Sequence, residues 1–283
     1  LAQINGVMSR GSAFRIAFLA LVLCSCTPSV PAATPTVTQP PTTPTPSATG
    51  SVPPQPNATC NELSLYLDPA LATSYVCETV PASSNEFEPY PEHTRVTLQG
   101  YPVSGTHFDP QISVYAVSDY DAMIPGDVTG LVTDLQSLTS GGSAPSFTSP
   151  FASPLPFLPR FDAAQAFFAH YSVEPFASGS GIRFLTEYAQ YYVPVNNTDL
   201  FYTYQGLTSD GLHWISAILP TNLATLPADA DAGFGGQTQE QFSNGYDAYI
   251  LAAVGQLDAT APASFTPAID ALDALVASIT IAP

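Results

Sequence analysis

Between Gly181 and Leu219 three apolar and aromatic stretches are separated by Asn196-Asn197 and Asp210-Gly211. That pattern confines this part of the chain to an antiparallel meander. Asp-Gly is a strong two-residue hairpin signal, because both positions tolerate the positive φ that a type I′ turn requires. The turn sets a register in which Leu207 opposes Trp214 and Gln205 opposes Ser216. If Asn196-Asn197 closes the preceding pair equally tightly, Glu187 opposes Leu207 and Ala189 opposes Gln205. Side chains alternate between faces along a strand. One face then carries Arg183, Glu187, Gln205 and Trp214 together, and the other carries an aromatic, core-forming set with Tyr202 and Tyr204.

The rest of the chain beyond residue 58 supplies fewer strands and more helices. Arg95–Gln99 and Ile112–Val117 alternate enough to be strands, with a turn-rich stretch from Gly100 to Pro110 between them. Asp127 is placed to N-cap a helix with Val128, Leu131, Val132, Leu135 and Leu138 on one face. A Gly/Ser/Pro-rich loop over 140–159 leads to a short expected helix over 162–170. Residues 240–257 read as helical despite Gly245 and Gly255. A last helix is expected from Thr266 as N-cap with Pro267 at its first position, its stripe being Ile269, Leu272, Val276 and Ile279. Strands in two groups with helices between and after them indicate an α+β fold. The expectation is one domain over 59–283, with an antiparallel sheet of about five strands covered by helices.

The N-terminal end has a different character. Arg10 and Arg15 precede an apolar run, Ile16–Leu23, too short to cross a bilayer. Such a segment reads as an export signal. It ends in Leu23-Cys24-Ser25-Cys26, which resembles the lipobox of bacterial lipoproteins: a branched apolar residue, small residues, then cysteine. The resemblance implies that residues 1–26 are a signal peptide and that Cys26 carries the lipid. Met8 is then the expected initiator. From Thr27 to Ala58, ten prolines, eight threonines and three serines fill 32 positions without a charge or an aromatic ring. This composition cannot offset the entropy of ordering, so 27–58 reads as an extended stalk. With Cys24 removed and Cys26 lipidated, Cys60 and Cys77 remain, and in an exported chain they most simply pair as a disulfide. Free thiols or metal ligands are poorer readings, since neither cysteine has a CxxC or CxxH neighbour.

A second resemblance covers about 40 residues. Gly181-Ile-Arg-Phe-Leu-Thr-Glu-Tyr-Ala-Gln190, Asn196-Asn197 and Leu200-Phe-Tyr-Thr-Tyr-Gln-Gly-Leu-Thr-Ser-Asp-Gly211 are similar to a block in uncharacterised bacterial lipoproteins. It implies no named activity. In layout the domain also resembles the PsbP-like α/β sandwich.

Charge excludes several functions. The 283 residues hold five arginines, no lysine and 23 acidic residues. Such a chain has no basic stripe for phosphates and no polybasic membrane patch, so no nucleic-acid partner is expected. Catalytic constellations are missing: there is no G-x-S-x-G elbow, dinucleotide fingerprint, P-loop or HExxH. His107 and Asp109 form an H-x-D pair without an evident third ligand, and Asp119/Asp121 and Asp229/Asp231 lack an EF-hand pattern. No metal site and no cofactor is expected. These observations read together as a lipid-anchored envelope protein on the extracytoplasmic face of a bacterial membrane. Its stalk displays a non-catalytic binding or interaction domain, and Arg183, Glu187, Gln205 and Trp214 are the candidate ligand floor. The alternative is an extracytoplasmic hydrolase using carboxylates such as Glu187.

Overall fold

The computed structural model describes residues 54–282 apart from Ser153. The export signal, Cys26 and the stalk up to residue 53 lie outside the described residues. Seven antiparallel strands form the central sheet: β1 (Ser74–Val80), β2 (His93–Gln99), β3 (Gln111–Ala116), β4 (Ala169–Phe176), β5 (Gly179–Thr186), β6 (Phe201–Thr208) and β7 (His213–Pro220). Their order is β1-β2-β3-β7-β6-β5-β4. Two meanders, one of three strands and one of four, thus join where β3 pairs with β7. The α+β architecture is as expected, with seven strands in the sheet in place of about five. The two added strands, β1 and β4, are its edges.

Among the described residues six α-helices accompany the sheet: α1 (Val117–Met123), α2 (Asp127–Thr139), α3 (Ala230–Gly233), α4 (Gln239–Ser243), α5 (Tyr246–Ala259) and α6 (Ile269–Ala277). Helices α5 and α6 pack on one sheet face with Leu185, Tyr202, Tyr204 and Ile215. Helices α1 and α2, with the 155–158 segment, pack on the other with Ile182, Phe184, Phe201 and Trp214. Both faces of the sheet are therefore covered, and every residue of β6 is buried. A strand buried on both sides needs no polar alternation, and the polar Thr203 and Gln205 that it carries are satisfied by internal hydrogen bonds.

Several local expectations yield to tertiary context. Residues 162–170 are not helical. Ala164–Gln165 pairs with Tyr188–Ala189, and Ala169 opens β4. The helix-forming composition there is overridden by pairing, as weak propensities usually are. Gly126, at φ +85°, is the N-cap of α2 in place of Asp127, which instead pairs with Arg160 at 2.8 Å. Asp121 accepts from the Gly126 and Thr129 amides at the start of that helix. The expected 240–257 helix is divided at Gly245, the N-cap of α5. The last helix begins at Ile269, because Thr266 pairs with Asn222 in a short ribbon. Its predicted stripe is fully buried.

Cys60 and Cys77 form a disulfide with a Cα–Cα distance of 5.4 Å. It ties edge strand β1 to a small N-terminal ribbon, Ala58–Cys60 against Leu63–Leu65, which itself pairs with Thr280–Ile281.

Candidate functional site

The β6–β7 hairpin has the expected register, Leu207 opposite Trp214 and Gln205 opposite Ser216. Its turn is not type I′, since Gly211 alone takes a positive φ (+75°). The Gly211 amide donates to the Thr208 carbonyl, and Asp210 accepts from the Leu212 amide and the Thr208 hydroxyl. An aspartate that bonds locally in this way stabilises a turn without a left-handed conformation of its own.

The β5–β6 register differs from expectation. Gln205 stands opposite Ile182, not Ala189, and Tyr204 stands opposite Arg183. A displacement by an odd number of residues exchanges the faces. Arg183 therefore lies on the face opposite Gln205 and Trp214. There it is 3.3 Å from Asp273 and 4.0 Å from Glu174, with Tyr202 donating to the same Asp273 oxygen. Glu187 lies just beyond the end of β5. The cause is the connection: Asn196-Asn197 is not a two-residue turn but part of a long loop from Glu187 to Leu200. Buried Asn196 knots this loop, donating to Asp199 and accepting from the Thr198 amide. The four proposed floor residues are thus not brought together.

Trp214 and Gln205 do meet, inside the protein. Trp214 Nε1 donates to Gln205 Oε1 at 2.8 Å, and the Leu158 amide donates to the same oxygen at 3.0 Å. Gln205 Nε2 donates to Thr203 and Ser216. All four hydrogen-bonding positions of the amide are used. Both side chains are fully buried. This network pins the 155–158 segment onto the sheet, which makes it packing rather than a ligand floor.

Glu187 is a different case. It is completely buried, and neither carboxyl oxygen has a hydrogen-bond partner; the Tyr246 hydroxyl is likewise unpaired. Burial pushes its pKa well above the usual carboxylate range. The nearby Asp199 charge adds to the rise, and the Asn196 backbone N–H, close by but outside hydrogen-bonding geometry, opposes it. A carboxyl in such surroundings stays protonated where ordinary carboxylates have ionised.

The residues following Glu187 border two concavities. Ala189, Gln190 and Tyr191 are a ridge shared by two adjoining clefts of about 510 and 390 Å³. The larger lies in the range of small-ligand sites. Phe87, Phe108, Phe161, Tyr188 and Tyr191 line it, together with Glu88, Asp162, Asp199 and His107. Phe108 stacks on Phe161 at 4.9 Å, and Phe161 meets Tyr188 edge-on at 5.0 Å, so the aromatic floor continues into the core. Phe151 and Tyr192 line the smaller cleft, where Tyr192 stacks on Tyr246 at 4.4 Å. The four most exposed aromatic side chains among the described residues are Phe87, Phe151, Tyr191 and Tyr192, and all four border these clefts. Their positions in the sequence span 87 to 192, so no local pattern announces the cluster. The only sequence signal was the run of tyrosines at 188, 191 and 192.

Among the described residues no group of three or more metal-ligating side chains comes together. The Asp119/Asp121 and Asp229/Asp231 pairs serve local structure, Asp229 capping α3 through the Ala232 amide. Comparison of the chain with protein-family models, with curated proteins and with solved structures gave no match.

Proposed function

We propose that this chain is a lipid-anchored envelope protein whose domain binds a small ligand in the aromatic clefts on either side of Ala189–Tyr191. The observation that carries the reading is the gathering of the four most exposed aromatic side chains of the described residues around two adjoining clefts. Exposed rings cost free energy in water, roughly 25 cal/mol per Å² of apolar area, and a ligand that covers them recovers it. Scattered single exposures need no explanation, whereas a contiguous set does. The anchor belongs to the same reading. The lipobox-like Leu23–Cys26 and the proline-rich stalk would hold such a site away from the membrane surface.

The hydrolase alternative draws on one observation, the proximity of the Glu187 and Asp199 carboxyls. Against it, both Glu187 oxygens are sealed from solvent. General acid–base catalysis requires reach to the substrate within a hydrogen bond or one water.

A thermal-shift screen of small molecules tests the binding reading, because a ligand selective for the native state raises the melting temperature. Compounds should stabilise the wild-type protein and lose their effect in Phe87→Ala/Tyr191→Ala. Compounds that stabilise both proteins equally would place binding elsewhere. For the anchor, Cys26→Ala should release the protein from the membrane fraction or leave it unprocessed. Mass spectrometry finding an unmodified Cys26 in the mature protein would refute the lipidation.

A further inference from the structure

We infer that the larger cleft takes a small organic ammonium ion, an inference that rests on the binding site proposed above. The argument begins with charge. Glu88, Asp162 and Asp199 line one cleft, and none forms an ion pair with a basic side chain among the described residues. Asp162 accepts only from the uncharged Gln190 amide group, Asp199 from Asn196, and Glu88 from the Asp162 backbone. The chain cannot readily supply a counter-charge from elsewhere. It has no lysine, and the three arginines of the described domain are engaged by Glu78, by Asp127, and by Asp273 with Glu174. His107 is the one basic side chain on the wall among the described residues.

The aromatic walls select the kind of cation. A hydrated metal ion gains little from ring faces, and the acids here do not cluster into a ligand set. An alkylammonium group gains from both parts of the site. Ring faces attract it through their quadrupole, and its carbon substituents cover apolar area. Phe87 and Tyr191 offer exposed rings at 60% and 58% relative exposure. Phe161 and Tyr188 supply a floor fixed by their edge-to-face contact. The cleft volume of about 510 Å³ suits a small molecule.

Isothermal titration of the purified full-length protein with choline and spermidine tests the inference, with 3,3-dimethylbutan-1-ol as the uncharged carbon isostere of choline. At least one cation should bind. The isostere should bind choline's site at least tenfold more weakly than choline if choline is the cation bound. Tyr191→Ala should weaken cation binding about two- to thirtyfold, the span of one cation–π contact. Asp162→Asn and a change from 50 to 500 mM salt should each weaken it further, as expected for screened charges. Choline and the isostere binding equally, both losing affinity in Tyr191→Ala, would overturn the cation and leave the aromatic site standing. If neither cation binds while the Phe87/Tyr191-dependent screen finds uncharged ligands, the cation again fails alone. If neither cation binds and no compound depends on those rings, both the cation and the site fail.

Discussion

Replacing Glu187 by glutamine should convert a pH-dependent cost into a constant one. The buried carboxyl holds its proton in the native state because burial, then the Asp199 charge, raise its pKa well above the usual glutamate value. In the unfolded chain it titrates near 4.3. Between those two values the native state binds more protons than the unfolded state. Stability attributable to Glu187 is therefore intact below the unfolded pKa and falls as pH rises, levelling off only above the raised folded pKa. Inside that window the slope approaches about 1.4 kcal/mol per pH unit. For a domain of this size that corresponds to about 3–6 °C in Tm per unit. Glutamine keeps the shape and cannot ionise. Urea unfolding of both proteins from pH 4 to pH 8 isolates the effect, because every other group, including His93 and His170 with their burial-lowered pKa values, is common to the two. The stability difference should be small at pH 4 and shift progressively in favour of the variant as pH rises. A difference independent of pH, or one that shifts towards the wild type, would refute the buried, unpartnered carboxyl.

Two further outcomes test the packing. Trp214→Ala should cost about 3–5 kcal/mol through lost burial and a cavity, since the indole is fully buried and hydrogen-bonded to Gln205. The fluorescence of this sole tryptophan should be blue-shifted and resist acrylamide; a red, readily quenched emission would contradict its burial. Replacing both Cys60 and Cys77 by serine should cost roughly 3 kcal/mol in the chain-entropy model, read as a lower urea midpoint, and non-reducing peptide mapping of the native protein should link the two cysteines. An unchanged midpoint would show that the crosslink does not hold the N-terminal ribbon to β1.

What could be read in advance was local. The Asp210-Gly211 turn and the alternation on either side of it set the β6–β7 register. The 3.6-residue spacing of Ile269, Leu272 and Val276 identified the buried face of α6. Cysteine arithmetic gave the Cys60–Cys77 pair. Each of these depends on residues close in sequence, or on so few candidates that little choice remains.

Tertiary structure decided what depends on distant partners. The long Glu187–Leu200 connection shifted β5 against β6 and carried Arg183 to the face opposite Trp214. The 155–158 segment, in a stretch whose composition reads as loop, folds back to bond Gln205 and closes the second sheet face. The same folding leaves Glu187 buried without a partner and collects Phe87, Phe151, Tyr191 and Tyr192 around two clefts. Periodicity records which residues in one element face alike, but carries no information about which loop will cover that face. The sequence therefore determined the hairpin, the helix stripe and the crosslink. The clefts and the buried acid follow from long-range packing, where loop closure and burial outweigh local preference.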